Sequence, residues 1–280
     1  MVRKKQTKRK NKMTLFQLSW LILKNNPVLF LPNILMLVTN LILFIGLIKI
    51  TGVSTAILDN NYNLLKESFT SGIFFVSAFL YFVLTFIIDN YFITAKYGLI
   101  KKVLLKGSAK FNDGLIFAKK HYWTTLGIHI ASSLILFVPL GLLAVLLFLI
   151  LPFSKVVAVS LFIPLAFIYL FYVSIRLIFV YPVMSFEKKG AYNSLTEDFH
   201  FVKTHLNHAF LTWLIVIGAA IFVSIFRDNA IELGSMFSQQ VAFAGFLLIA
   251  IVFIVEITVS AWEHVFIFKS YLIAKKKIRD

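Results

Sequence analysis

Six apolar stretches, each long enough to cross a lipid bilayer, limit what this chain can fold into more than any other feature. They run over residues 29–48, 72–95, 124–147, 157–181, 209–226 and 241–268. A bilayer core is crossed by roughly 17–25 apolar residues, and a helix satisfies every backbone N–H and C=O there without water. Hydrophobic residues make up 60% of the 280, charged residues 14%, and the mean hydropathy is +0.88. A soluble domain carries about 25% charged residues, so a larger core cannot absorb this excess. The sequence predicts an all-α polytopic membrane bundle of six transmembrane helices.

The third and fourth stretches are separated by "LPFSK", a tight turn around Pro152 and Lys155, and Pro139 and Pro164 fall inside spans. Neighbouring helices can supply partners for the backbone groups that such prolines free. Residues 1–12, "MVRKKQTKRKNK", form a basic cytoplasmic tail, and residues 13–280 form a single membrane domain. No small-residue cleavage site follows the first apolar run, so the tail is expected to be retained. A solvated tail and attraction to anionic headgroups both fit its composition. The chain has no cysteine, which excludes disulfides, thiolate metal sites and a cysteine nucleophile.

The net charge of +16 is distributed unevenly. Eight Lys and Arg lie up to residue 24, seven over 96–120, four over 176–203 and five over 269–279. Lys49, Lys66, Lys155 and Arg227 are left for the other side. The positive-inside rule then predicts a plasma-membrane protein with cytoplasmic N- and C-termini. Because topology accounts for the basic residues, nucleic acid is not expected as a partner.

One basic phrase recurs on that side: "ILKNN" at 22–26, "FAKKH" at 117–121 and "FVKTH" at 201–205, each before a long apolar run. Phe111, Leu115, Ala118 and Tyr122 form an apolar stripe at helical spacing, repeated by Leu195, Phe199, Val202 and Leu206, and in part by Phe16, Trp20 and Leu23. In this register Lys24, Lys119 and Lys203 coincide, as do Asn26, His121 and His205. Such flanks suit an interfacial helix whose Lys and His reach headgroups. The reading is three tandem repeats, each an interfacial helix followed by a transmembrane hairpin, over about 13–100, 108–185 and 191–275. Repeats with two spans each keep one orientation.

Charges inside spans are costly and mark functional candidates. Asp89, Arg176, Glu256 and Glu263 form an expected intramembrane polar set. Arg176 is expected to pair with Glu256 or Glu263, pinning the fourth span to the sixth, and Asp89 to join a local cluster with Asn90 and Tyr91. Glu256 is the deepest of the four. His200, His205 and His208 share one segment, but no zinc motif, phosphate loop or nucleophile elbow accompanies them. No cofactor, metal or catalytic constellation is predicted.

Residues 176–205, "RLIFVYPVMSFEKKGAYNSLTEDFHFVKTH", resemble a broad group of six-span membrane proteins that includes the membrane domain attached to glycerophosphoryl diester phosphodiesterases. Arg176, Pro182, Glu187, Gly190, Ala191 and Ser194 carry the likeness, and "KNNPVLFLPNIL" and "KGSAKFNDGLIFAKKH" are similar to the group's other cytoplasmic corners. The resemblance implies an architecture. The phosphodiesterase activity belongs to a separate soluble barrel and is not implied. Two functions stand open at this point. The first is a non-enzymatic membrane scaffold or lipid-interacting module, engaging anionic headgroups or a membrane-protein or cytoplasmic partner. The second is a small transporter or channel with a polar path through Glu256, Arg176 and Glu263.

Overall fold

A computed structural model describes residues 14–150, 154–238 and 242–276. The tail over 1–12 and the Pro152 turn lie outside the described residues. The chain opens with α1 (Leu15–Asn25), a 3-10 turn (Pro27–Phe30) and α2 (Leu31–Ile50). Two short helices follow, α3 (Val53–Leu58) and α4 (Tyr62–Thr70), then the long α5 (Gly72–Lys106) and α6 (Phe111–Ile150). The remainder is α7 (Lys155–Arg176), α8 (Val180–Glu187), α9 (Ala191–Thr204), α10 (Leu206–Ser238) and α11 (Ala242–Lys276). Six helical segments are long and apolar enough to span a membrane: Pro27–Ile50, Gly72–Lys106, Phe111–Ile150, Lys155–Glu187, Leu206–Gly234 and Leu247–Lys276.

Local chemistry sets the helix ends. Thr14 begins α1 with a capping box: its Oγ1 accepts from the Gln17 N–H at 3.3 Å, while Gln17 Oε1 accepts from the Thr14 N–H at 3.1 Å. Pro27, which has no N–H, enforces the break after Asn26. Gly107 closes α5 with φ of 85°, a left-handed cap that costs glycine nothing.

The three basic phrases do not build the same corner. α1 breaks at Pro27, and α9 breaks at His205, whose backbone leaves the helical region. The second copy has no break: residues 111–122 are the first turns of the 40-residue α6. Lys120, His121 and Tyr122 offer no proline, glycine or capping group to interrupt it. The separate interfacial helix expected there is therefore replaced by an extension of the span. The fifth span is also longer than its apolar window, because Arg227, Asp228 and Glu232 continue the helix to Ser238.

Burial gathers at the basic end of the bundle. Leu23, Leu29, Leu99, Ile128, Met184 and Phe266 are among the fully buried residues of one core cluster, and Phe179, Val183, Phe201 and Tyr271 anchor a second. Toward the other end Phe75, Phe79, Phe82, Leu146, Leu149 and Phe167 stand exposed, as apolar surfaces facing lipid can. α1 packs on α11, bringing the first helix to the last, with the Phe16 and Trp262 rings 4.8 Å apart.

Candidate functional site: a basic pocket and the intramembrane charges

α5 and α6 run antiparallel at the basic end, held close by two glycines. A Cβ at Gly98 would stand 2.4 Å from Phe117 Cβ, and one at Gly114 would stand 2.8 Å from the Ala95 carbonyl oxygen. Next to this contact each helix turns one face to a shared pocket. Gly98, Lys101, Lys102, Leu105 and Lys106 line it from α5, and Asp113, Ile116, Phe117, Lys120 and His121 from α6. Both sets follow the three-and-four spacing of a single helix face. Lys188, at the left-handed end of α8 (φ 56°), completes the wall. The pocket encloses about 330 Å³.

Its charges are unbalanced. Five lysines face one acid, and that acid is occupied: Asp113 pairs with Lys102 at 2.5 Å and accepts the Lys110 N–H at 2.7 Å. Lys101 donates to the Ser185 carbonyl at 2.5 Å and lies 5.4 Å from the Phe117 ring centroid. Lys106, Lys120 and Lys188 have no hydrogen-bond or ion-pair partner among the described residues. Three cationic donors thus converge on one space, which is what a phosphate oxygen cluster requires.

The five residues expected at headgroups are divided among four places. His121 enters the basic pocket, 4.3 Å ring to ring from Phe117. Lys203 and His205 line a second cleft with Asn207 and His208. Lys119 borders an open aromatic groove of about 820 Å³ with Tyr91, Phe92, Tyr122 and Trp123. Lys24 is exposed near the end of α1.

The four intramembrane charges do not form one set either. Arg176 pairs with neither Glu256 nor Glu263. Its Nη1 donates to the Phe199 carbonyl at 3.3 Å, and its guanidinium lies 5.2 Å from the Tyr172 ring centroid. Glu256 instead meets Arg227 at 3.7 Å. Asp89 accepts from Asn40 Nδ2 at 3.2 Å on both oxygens, while its neighbour Asn90 reaches the Tyr122 carbonyl at 3.5 Å. Adjacent residues on a helix point apart, so the local Asp89 cluster does not form. Glu263 lines a cavity of about 300 Å³ between α5, α7, α8, α10 and α11.

Two groups were missed as sites by sequence reasoning. Lys96 is 2% exposed and donates to Asn33 Oδ1 at 3.0 Å. In the sequence it reads only as a basic residue flanking a span. Asp198 on α9 is 0% exposed, facing the Phe179 amide and the Arg176 charge. Neither of its oxygens meets a partner in hydrogen-bonding geometry among the described residues, nor does Arg176 Nε. Burial pushes the Asp198 carboxyl well above the usual carboxylate range, against the pull of the Phe179 amide and Arg176. The sequence signal for the basic pocket was present in Lys101, Lys102 and Lys106, which share a helix face with Gly98. No group of three or more His, Cys, Asp or Glu able to hold a metal occurs among the described residues.

No family model, no curated protein and no solved structure matches the chain, so the likeness read in residues 176–205 and in the other two basic corners rests on the sequence alone.

Proposed function

We propose that this multi-pass membrane protein is a non-enzymatic, lipid-interacting module of the plasma membrane that holds a phosphate-bearing anionic headgroup at its cytoplasmic face. The observation that carries the reading is the pocket between α5, α6 and the end of α8, where Lys106, Lys120 and Lys188 converge unpaired. Each Lys near an anionic surface contributes about 1 kcal/mol, and a pocket gathers donors that a flat surface spreads. The charge asymmetry of the sequence supports a cytoplasmic position for this end and for both termini. Transport through Glu256, Arg176 and Glu263 has less support, because each has its own surroundings: Arg227, Phe199 and the Glu263 cavity.

Native mass spectrometry of the full chain, with phosphatidic acid, phosphatidylglycerol and phosphatidylcholine offered in equal amounts, tests the reading. The two anionic lipids should be retained over phosphatidylcholine. Replacing Lys106, Lys120 and Lys188 together by Gln should remove about 3 kcal/mol, on the order of a hundredfold in affinity. Inorganic phosphate in excess separates a lipid headgroup from a free phosphate ligand: displacement of the lipid by millimolar phosphate points to the soluble ligand. Unchanged lipid selectivity in the triple variant overturns the proposal.

A further inference from the structure

The cavity at Glu263 is separate from the basic pocket and differs from it in chemistry. Its polar end is made by Tyr97, Tyr181, Glu263 and His264. Tyr97 is 3% exposed and wedged among rings, with Tyr181 at 4.7 Å, Phe268 at 5.4 Å and His264 at 5.5 Å between centroids. His264 Nδ1 bonds to the Ser260 carbonyl at 2.7 Å. The Tyr97 and Tyr181 hydroxyls, the Glu263 carboxylate and His264 Nε2 have no hydrogen-bond partner among the described residues. All four residues line the cavity, and polar groups that face an apolar membrane cavity without a protein partner are satisfied only by what fills it, so the four together point to a ligand with a hydrogen-bonding head.

The charge of the site limits what that ligand is. Lys96 lies near enough for the Glu263 carboxylate to act on its charge, without a direct ion pair between them. The two bring one basic and one acidic group to this part of the bundle, so neither is left over as a counterion for a charged ligand. An additional charged group would enter this apolar setting without a counterion, which is strongly unfavourable. A hydroxyl suits the site, since it accepts from a phenol and donates to a carboxylate. Of the other lining residues Trp213 Nε1 donates to Ser174 Oγ at 2.8 Å, so these two satisfy each other. The remainder of the wall is apolar, with Leu177, Ile178, Val216 and Ile217 all only partly buried, so the cavity is reached from the lipid-facing surface of the bundle.

The geometry points to an intramembrane binding site for an uncharged, hydroxyl-headed amphiphile, with its head among Tyr97, Tyr181, Glu263 and His264 and its chain along Ile178 and Ile217. The site is independent of the headgroup pocket and stands whether or not that pocket binds phosphate.

Photolabelling with a diazirine derivative of octanol tests this in the full chain held in phosphatidylcholine nanodiscs, with adducts mapped by mass spectrometry. Adducts are expected on the cavity residues, Glu263 among them, and not on Glu256 of the same helix. Unlabelled octanol should suppress them, while octanoate and octylamine compete about tenfold less well because each brings a charge. Ile217→Trp, which fills the cavity, should abolish labelling of Glu263; Ile178→Trp closes it from the opposite wall should the first variant not fold. Labelling scattered along the spans, or resistant to octanol, overturns the site. Octylamine or octanoate competing as well as octanol overturns its assignment to an uncharged head.

Discussion

Lys96 on α5 donates to Asn33 Oδ1 on α2 at 3.0 Å, and Asn33 Nδ2 donates in turn to the Ile257 carbonyl on α11 at 3.2 Å. Three spans are tied by one relay, and its ammonium has no other hydrogen-bond partner among the described residues. Asn33→Leu therefore leaves a buried cation unpartnered, which costs about 3 kcal/mol. Adding Lys96→Met removes the orphaned charge and should recover most of that loss. A double-mutant cycle on unfolding in mild detergent measures the coupling. Additive effects of the two substitutions would show that the relay contributes nothing.

The glycine contact between α5 and α6 gives a second expectation. At Gly114 a methyl group meets the Ala95 carbonyl oxygen and Leu99 Cγ, both at 2.8 Å, and backbone cannot step aside as a side chain can. Gly114→Ala should cost about 1–3 kcal/mol through overpacking. A Cβ at Gly141, on the same helix, meets nothing within 4 Å. Gly141→Ala should be neutral or stabilising by up to about 1 kcal/mol. Melting temperatures of the two variants side by side decide the matter.

The six spans were legible because a helix surrounded by lipid must be apolar on nearly every face, and that leaves an unbroken run in the sequence. The break at Pro27 was legible for a similar reason, since a missing N–H acts locally. The C-terminal end of α10 was not: Arg227, Asp228 and Glu232 leave the apolar window, while Arg and Glu remain good helix formers. Charge partners were the least legible. Asp89 finds Asn40 at 49 positions' separation and Glu256 finds Arg227 across the α10–α11 hairpin. Those choices depend on how neighbouring helices are rotated. Lys96 reads as a flanking lysine in sequence, and only the packing of α2, α5 and α11 around it makes it a buried one.

Asp198 sets a pH dependence with a definite sign. Its carboxyl is held above the unfolded value of about 3.9, chiefly by burial, so the folded state keeps its proton longer than the unfolded state does. Stability is therefore lost as pH rises from about 4 through the folded value, and the penalty is complete above it. Asp198→Asn removes the ionisation. It should match the wild type near pH 4 and exceed it near pH 8 by about 2–4 °C in melting temperature, the shift that accompanies about 1 kcal/mol. A variant that is less stable at pH 8 would mean that Arg176 depends on the charge.

Glu187 offers a test of whether the basic pocket is positioned or merely cationic. Its Oε1 accepts from the Tyr271 hydroxyl at 2.7 Å and from Lys275 Nζ, fastening the end of α8 to α11. Lys188, the next residue, adopts φ of 56° and faces the pocket from that fastened end. Glu187→Leu removes both acceptor oxygens and a negative charge next to Lys188, so simple electrostatics predicts tighter binding of anionic lipid. Loss of the fastening predicts the opposite, because Lys188 is no longer held where Lys106 and Lys120 converge. A fall in phosphatidic acid affinity of about threefold to tenfold, or about 1 kcal/mol, is expected. The slope of affinity against salt should stay that of the wild type, since every lysine is still present. Tighter binding with an unchanged slope would mean that α8 is placed without Glu187 and that charge alone governs the pocket.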